Sequence, residues 1–565
     1  MRFRFVKDIP VAPEKAWFLA RYGELRAKLE TVPADAPAAR FVELAEHWNE
    51  IKAVLSGEDS RRNWAESLDG FDEKAAAAAT RFRSETAPLQ TNEDAALRKR
   101  LLSGRARAAI EERFGPTLLG RWECDEIAAD PRNADLEVEA SNLAAETGRM
   151  RGRAEVELDG KKRTLTQLSN LAESPDPALR KRAFEAFNGF YRSKRDEIDR
   201  TYARLVALRA RAAANLGLTS YVPLGYKRMS RTDYGPPEAA RFRAKIEECV
   251  VPLLARLRAA QAKDLGTRSV APWDRSFFPA YNLAPGIVPV AGQAAAARKV
   301  YAALHPKLAA HFDTMERRGF VDLENRKGKR PGAFCTSMPD TDEVRIFCNS
   351  TGAASDVKTL LHESGHSFQG WESQKIEMCE LQNPTLEACE IHSMGMELLA
   401  FPHLEAFFKK EDAARFRRDK LAKTVVLLAY VAVVDGFQHE VYEKPALSPD
   451  DRAATWSRLW ARFMVGEDWS GNESDLGRFW HRQLHVFGSP FYYLDYALAE
   501  TCALQLYRLA REAPADALAR YMKLCEIGGK LTFLGILKEG GLESPFDPGT
   551  LPPLMAMVSE ELGLG

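Results

Sequence analysis

Residues 362–366 read His362-Glu363-Ser364-Gly365-His366. On a helix, positions i and i+4 lie on one face about one turn apart, so two imidazoles can reach one tetrahedral cation. Glu363 is displaced around the helix from the first histidine. It can take a proton from a water at the metal without being a ligand, which is the division of labour in metal-assisted hydrolysis. A catalytic zinc keeps three protein ligands and one open position, so a third ligand must come from elsewhere. The stretch after Asn383 carries Glu387, Glu390 and Glu397 on one helical stripe. Spacing does not choose among them. Glu372, Glu377 and Glu380 are nearer in sequence, and His392 lies about 200° around the helix from Glu390, so those two cannot face one metal together. Read alone, His392 is a structural histidine.

The elements that must hold these residues are mostly helices. Apolar residues recur at three- and four-residue spacing from Glu14 to about Met150. Residues 175–218 predict one long helix, 238–265 another and 291–312 a third. A turn at Leu158-Asp159-Gly160 joins two short strands, 153–158 and 162–165. Residues 332–337 and 344–348 are β-prone and flank a turn at 339–342, which predicts a hairpin. Ser355-Asp356 offers an N-cap for the His362 helix, expected to run through Gln369, with Val357, Leu360 and Leu361 on its buried side. Asn383-Pro384 offers an N-cap with proline at N1 for the next helix, to about Leu399. Residues 468–474 are turn-rich. The strand at 332–337 has a second use: an exposed edge can pair with an extended peptide through main-chain hydrogen bonds, whatever its side chains.

Composition sets limits. With 565 residues, a length prior gives about two to four domains. Eighty basic and eighty acidic residues cancel. That balance gives no electrostatic footprint for nucleic acid, and the arginines of 241–258 interleave with acids as a solvated helix face does. The eight cysteines show no C-x-x-C spacing, so neither a disulfide framework nor a thiolate zinc site is expected. The first residues lack an apolar core of signal-peptide length, and no run of ~18 uninterrupted apolar residues predicts a membrane span. A reducing cytoplasm is the simplest home.

From about Leu158 onward the sequence resembles the M3 family of zinc oligopeptidases, in its oligoendopeptidase F-like branch. The likeness rests on Gly332-Ala333-Phe334 before the H-E-x-G-H helix, on Glu390, Ser393 and Glu397 in an E-x-x-S-x-x-x-E pattern, and on a histidine before a tyrosine-rich stretch, His485 to Tyr496. The resemblance implies Glu390 as third ligand to one Zn²⁺ with His362 and His366, and Glu363 as general base. It implies that His485 and Tyr496 contact the substrate and stabilise the oxyanion. Tyr492 and Tyr493 are further substrate-binding candidates, with Gly332, Ala333 and Phe334. It also implies a mainly α, two-lobed zincin-like metallopeptidase with a deep channel and a small sheet beside the H-E-x-x-H helix. Residues 1–180 would form an N-terminal helical region and 181–565 the catalytic region. Such a channel admits short flexible peptides and excludes folded proteins. Many members differ at Ser364, Gln369, Met394 and Leu494; none of these positions is a ligand or the base. Two other readings stand beside this one. A zinc carboxypeptidase or dipeptidyl carboxypeptidase on a related fold would need a cation for the terminal carboxylate. An inactive, zinc-stabilised peptide binder would leave Glu363 without a role.

Overall fold

Helical periodicity in the sequence becomes helices over most of the chain, with two small sheets among the described residues. The computed structural model describes residues 3–284 and 286–565. Where the expected helices differ from the observed ones, local chemistry gives the reason. Residues 175–218 form two helices, Pro177–Ser193 and Arg195–Asn215, jointed at Lys194; Asp176 caps the first by accepting from the Ala178 N–H at 2.9 Å. The helix at 238–265 contains a π-helical turn, Ile246–Val250, just before Pro252, which has no N–H to give to a regular ladder. The helix at 291–312 breaks at His305-Pro306 into Val290–Leu304 and Pro306–Arg317, because proline disfavours helical backbone in the residue before it. The first hairpin, β1 (Glu155–Leu158) and β2 (Lys161–Thr164), turns through Asp159 and Gly160 at φ 52° and 72°. Two positive φ values match a type I′ turn.

The chain divides into two compact units that interleave in sequence. The first comprises Met1–Ile127, Ala284–Lys409 and Cys502–Leu542; the second comprises Ala128–Leu283, Lys410–Thr501 and Glu543–Gly565. A sequential split at residue 180 therefore does not describe the packing.

In the first unit, helices including Lys15–Thr31 and Ala38–Leu68 close on Phe18, Phe41, Trp48, Ile51 and Trp122. Each such fully buried side chain is worth about 1.5–3 kcal/mol of burial. The same unit holds a three-stranded sheet of order β3-β5-β4, formed by β3 (Val321–Glu324), β4 (Phe334–Met338) and β5 (Glu343–Ser350). β4 and β5 are the expected hairpin. β3 runs parallel to β5 and had no sequence signal, being four mixed residues that depend on a partner far along the chain. The helix Ala354–Ser373 lies on this sheet with Val357, Leu360 and Leu361 buried. Gly370 allows the contact, since a Cβ there would stand 2.7 Å from Ser337 Oγ.

The second unit is organised on the helix Lys410–Glu443, which is long and apolar enough to cross a membrane by composition. Here it is a core helix: Phe437 packs on Tyr202, Trp456 and Trp480 with ring centroids 6.2, 5.3 and 5.3 Å away.

Candidate metal centre

The first unit brings together His362 and His366 from the helix Ala354–Ser373 and Glu390 from the helix Leu386–Leu399. Both helices start differently from expectation. The first begins at Ala354, with Asp356 one turn in; its carboxylate accepts from the N–H groups of Thr351, Gly352 and Ala353 at 2.7, 2.7 and 3.0 Å. It runs a turn beyond Gln369. The second has Thr385 as N-cap, not Asn383. The two helices touch backbone to backbone. A Cβ on Gly365 would lie 2.3 Å from the His392 carbonyl oxygen and 2.6 Å from Ser393 Cα, so only glycine permits the crossing. Tyr521, from the helix Pro514–Ile527, ties both sides of it, its hydroxyl 3.0 Å from the His392 carbonyl and 3.5 Å from that of Gly365.

The donor atoms converge. Glu390 Oε2 lies 3.4 Å from His362 Nε2 and 3.8 Å from His366 Nε2. The three candidate ligand atoms all lie within 4.8 Å of one another. Two imidazole nitrogens and one carboxylate oxygen make a donor set that fits Zn²⁺ and leaves room for a fourth ligand. Burial drives His366 well below its ordinary pKa, which keeps its nitrogen lone pair free for a metal. For His362 burial acts in the same direction, but its bond to Glu397 and the nearby carboxylates outweigh it and hold the imidazole above its ordinary value.

A second layer orients these atoms. Ser393 donates to Glu390 Oε2 at 2.9 Å, the oxygen that faces the histidines. Glu397 Oε1 sits 2.7 Å from His362 Nδ1, which fixes the ring and directs Nε2 inward. Glu397→Gln should lower metal affinity about 10–100-fold with the fold retained, read by competition against a chromogenic chelator. Affinity equal to the parent's would reduce Glu397 to packing.

The remaining acids are engaged elsewhere. Glu372 belongs to the His362 helix, not to the connection, and binds Lys307, His311 and Lys375 at 2.6, 2.8 and 3.1 Å. Glu377 pairs with Arg113, and Glu380 with Lys52 at 2.6 Å. Glu387 is buried near Arg121 and Cys502. His392 is structural: its Nδ1 is 3.3 Å from the Cys389 carbonyl, and burial lowers its pKa to about 4.

Glu363 sits on the same helix, 7% exposed. Burial raises its pKa to about 7 against the opposing pull of His362, and the Cys335 backbone N–H donates to its carboxylate. Cys335 belongs to β4, an edge strand. Gly332 and Ala333 precede that strand; the Gly332 carbonyl already accepts from Asn349 Nδ2 at 2.8 Å. Phe334, half-buried, packs between Phe347 and Trp64, with ring centroids 4.7 and 6.1 Å away.

His485, Tyr492, Tyr493 and Tyr496 lie in the second unit and cluster there, the three tyrosine rings 5.6, 5.1 and 6.0 Å from the imidazole. Tyr430 donates to Gln483 Oε1 at 3.1 Å, and the Gln483 amide reaches His485 Nδ1 at 2.6 Å. With the amide so oriented, His485 accepts at Nδ1 and carries its proton on Nε2. Burial, and then Arg151, lower its pKa, so the ring is a neutral donor.

The tyrosine segment begins at a strained residue. Phe491 has φ 68°, rare for an aromatic side chain. Gln438 Oε1 accepts from its N–H at 2.9 Å, and Arg231 donates to its carbonyl at 2.8 Å. Arg231 also pairs with Asp495 at 2.5 Å, both side chains fully buried. Gly225 makes room for the ring, since a Cβ there would lie 2.5 Å from it. Sequence reasoning missed Arg231, Gln438 and Gly225, because no local pattern links residues so far apart.

Comparison with known proteins follows the same residues. Residues 170–548 match the sequence model of peptidase family M3. An oligoendopeptidase F homologue of Borreliella burgdorferi is 24% identical over 230 residues, 40% of this chain and 38% of that protein. The chain thus matches well under half the length of this curated relative. Among solved structures, PZ peptidase A with inhibitor 2 is 31% identical with TM-score 0.89, covering 99% of each chain. A putative oligoendopeptidase F is 32% identical with TM-score 0.89, covering 100% of this chain and 99% of the other.

Proposed function

Because this chain belongs to peptidase family M3, we propose that it is a zinc-dependent oligoendopeptidase that hydrolyses internal bonds of short, unfolded peptides. The observation that carries this reading is the convergence of His362 Nε2, His366 Nε2 and Glu390 Oε2 beside the buried Glu363. Those three atoms would hold a zinc ion, which would supply Lewis acidity toward a peptide carbonyl and toward water. Glu363 accepts the proton of the attacking water; the Cys335 N–H keeps its carboxylate in place while it does so. The same proton then passes from Glu363 to the leaving nitrogen as the C–N bond breaks. Main-chain groups of the β4 edge are suited to lining up an extended peptide without reading its side chains. His485 and Tyr496 are proposed as donors to the carbonyl oxygen as it gains charge. Eight cysteines without a disulfide among the described residues agree with a reducing compartment such as the cytoplasm.

Cleavage mapping by mass spectrometry, on a mixed short-peptide library with and without chelator, tests the activity. Peptides of roughly five to twenty residues, a size a concave site can envelop, should be cut internally with blocked ends tolerated, and a native folded protein should survive. Strict release of C-terminal residues would point to a carboxypeptidase. No cleavage at all by the metal-loaded protein would favour a peptide binder.

The oxyanion role is tested by comparing three variants. Tyr496→Phe should lower kcat about 10²–10³-fold with little change in KM, because a transition-state donor is lost. If Tyr492→Phe or Tyr493→Phe collapses instead, the role moves to that tyrosine. Parent-like turnover in all three assigns the tyrosines to packing.

A further inference from the structure

We propose that the second unit contains a binding site for one small monovalent anion, with the chemistry of chloride, formed by Asn188, Tyr191 and Arg482 beside Arg151. The site is a recess of about 20 Å³, partly open to solvent, lined from the helix Pro177–Ser193 and the 3₁₀ turn Phe479–Arg482, with Arg195, Ser474, Asp475 and Arg478 at its margin. That volume holds about one water-sized sphere. That space fits a single-atom halide more closely than a tetrahedral oxyanion or a carboxylate.

Donors at this place outnumber acceptors. Arg482 Nη2 donates to Asn188 Oδ1 at 2.5 Å. The other end of that amide, Nδ2, is buried with no acceptor among the described residues, and so is the Tyr191 hydroxyl. The group facing the Tyr191 oxygen is Arg151, itself a donor, so the hydroxyl proton needs an acceptor elsewhere. A buried donor left unpaired costs about 1–3 kcal/mol, and native structures rarely gather several in one place.

Positive charge is also in excess. The acids around the cavity are already engaged. Asp475 pairs with Arg192 at 2.9 Å, and Asp199 pairs with Arg478 and His481 at 3.2 and 2.8 Å. Among the described residues neither Arg482 nor Arg151 forms a direct ion pair, Asp475 acting on Arg482 only from farther off. Arg482 rests on the rings of Phe479 and Phe187, 3.7 and 4.9 Å from their centroids. Arg151 donates to the Arg482 carbonyl and stands 5.7 Å over the Tyr191 ring. Burial, with Arg275 nearby, lowers the Arg482 pKa to about 10 and outweighs the opposing pull of Asp475. One water would satisfy the orphan donors and leave the charge; one anion answers both. Occupancy would also brace the turn that leads into Gln483 and His485.

The test uses the full-length protein. Thermal unfolding is followed in sodium chloride, bromide or gluconate at constant sodium concentration and ionic strength. A ligand that binds only the folded state raises stability with the logarithm of its concentration above Kd. Chloride and bromide should raise the midpoint by a few degrees along a binding curve; gluconate, too bulky for the cavity, should not. Crystals soaked in bromide should show an anomalous peak between Asn188, Tyr191 and Arg482. Tyr191→Phe, which removes one donor and keeps the ring, should move the half-effective chloride concentration up about ten- to a hundredfold. Identical unfolding in chloride and gluconate, or bromide peaks only outside the cavity, would overturn the proposal.

Discussion

Glu363→Gln is expected to keep metal and fold while losing about 10²–10⁴ in kcat, the range assigned to a positioned general base. Glutamine has nearly the shape of glutamate and can still accept the Cys335 N–H through its amide oxygen. It cannot take a proton from water. The candidate metal donors His362, His366 and Glu390 are untouched by the change. Metal analysis should therefore give the parent's stoichiometry, and a slowly cut peptide should bind with its usual affinity. Turnover within a few-fold of the parent would remove Glu363 from the chemistry. Loss of the metal in this variant would instead mean that Glu363 shapes the ligand cage, and the base would have to be sought elsewhere.

The second large effect is expected at the third ligand. Glu390→Gln should strip the site of zinc and abolish metal-dependent activity, while Glu387→Gln leaves both intact. The distances carry the distinction: Glu390 Oε2 faces both histidine nitrogens at 3.4 and 3.8 Å, whereas Glu387 lies toward Arg121 and Cys502. The loss should exceed the about 10–100-fold expected for a group that only orients a ligand, as Glu397 does. Competitive titration of all three variants ranks them. Full zinc content and activity in Glu390→Gln would defeat the ligand assignment, whatever the other two show.

What the sequence revealed follows from how locally each feature is encoded. The His362–His366 face is a single helical turn, so its chemistry can be read from five residues. The hairpin of β4 and β5 likewise announces itself within twenty residues. The choice of Glu390 over Glu387 and Glu397 is different. All three share one stripe, and helical phase does not say which one the crossing at Gly365 brings to the metal. Only the family resemblance pointed to Glu390, and the distances between its carboxylate and the two imidazoles agree. Glu397 was weighed as a ligand and turns out to orient His362, a relation between two helices that spacing within one cannot express. The misplaced helix starts have a local cause: Asp356 and Asn383 carry capping side chains, yet Asp356 caps from inside the first turn and Thr385 starts the second helix. β3 and the Arg231–Phe491–Gln438 clamp depend on partners tens to hundreds of residues away, and neither leaves a periodic trace.

The crossing at Gly365 also separates two free energies that small zinc domains merge. In a zinc finger the ligands are scattered in the unfolded chain, and the energy of metal capture is the energy of folding. Here the ligand helices are held together by a backbone contact that excludes even one methyl group, by the Tyr521 hydroxyl on both sides of it, and by the Glu397 bridge to His362. None of these links needs an ion. With the metal proposed above, the protein would in that sense be a rigid chelator, and the ion exchangeable equipment. Withdrawing the cation and putting another of similar size, Co²⁺ or Mn²⁺, in its place would then need no disordered state, and supply would set the identity of the ion as much as structure does.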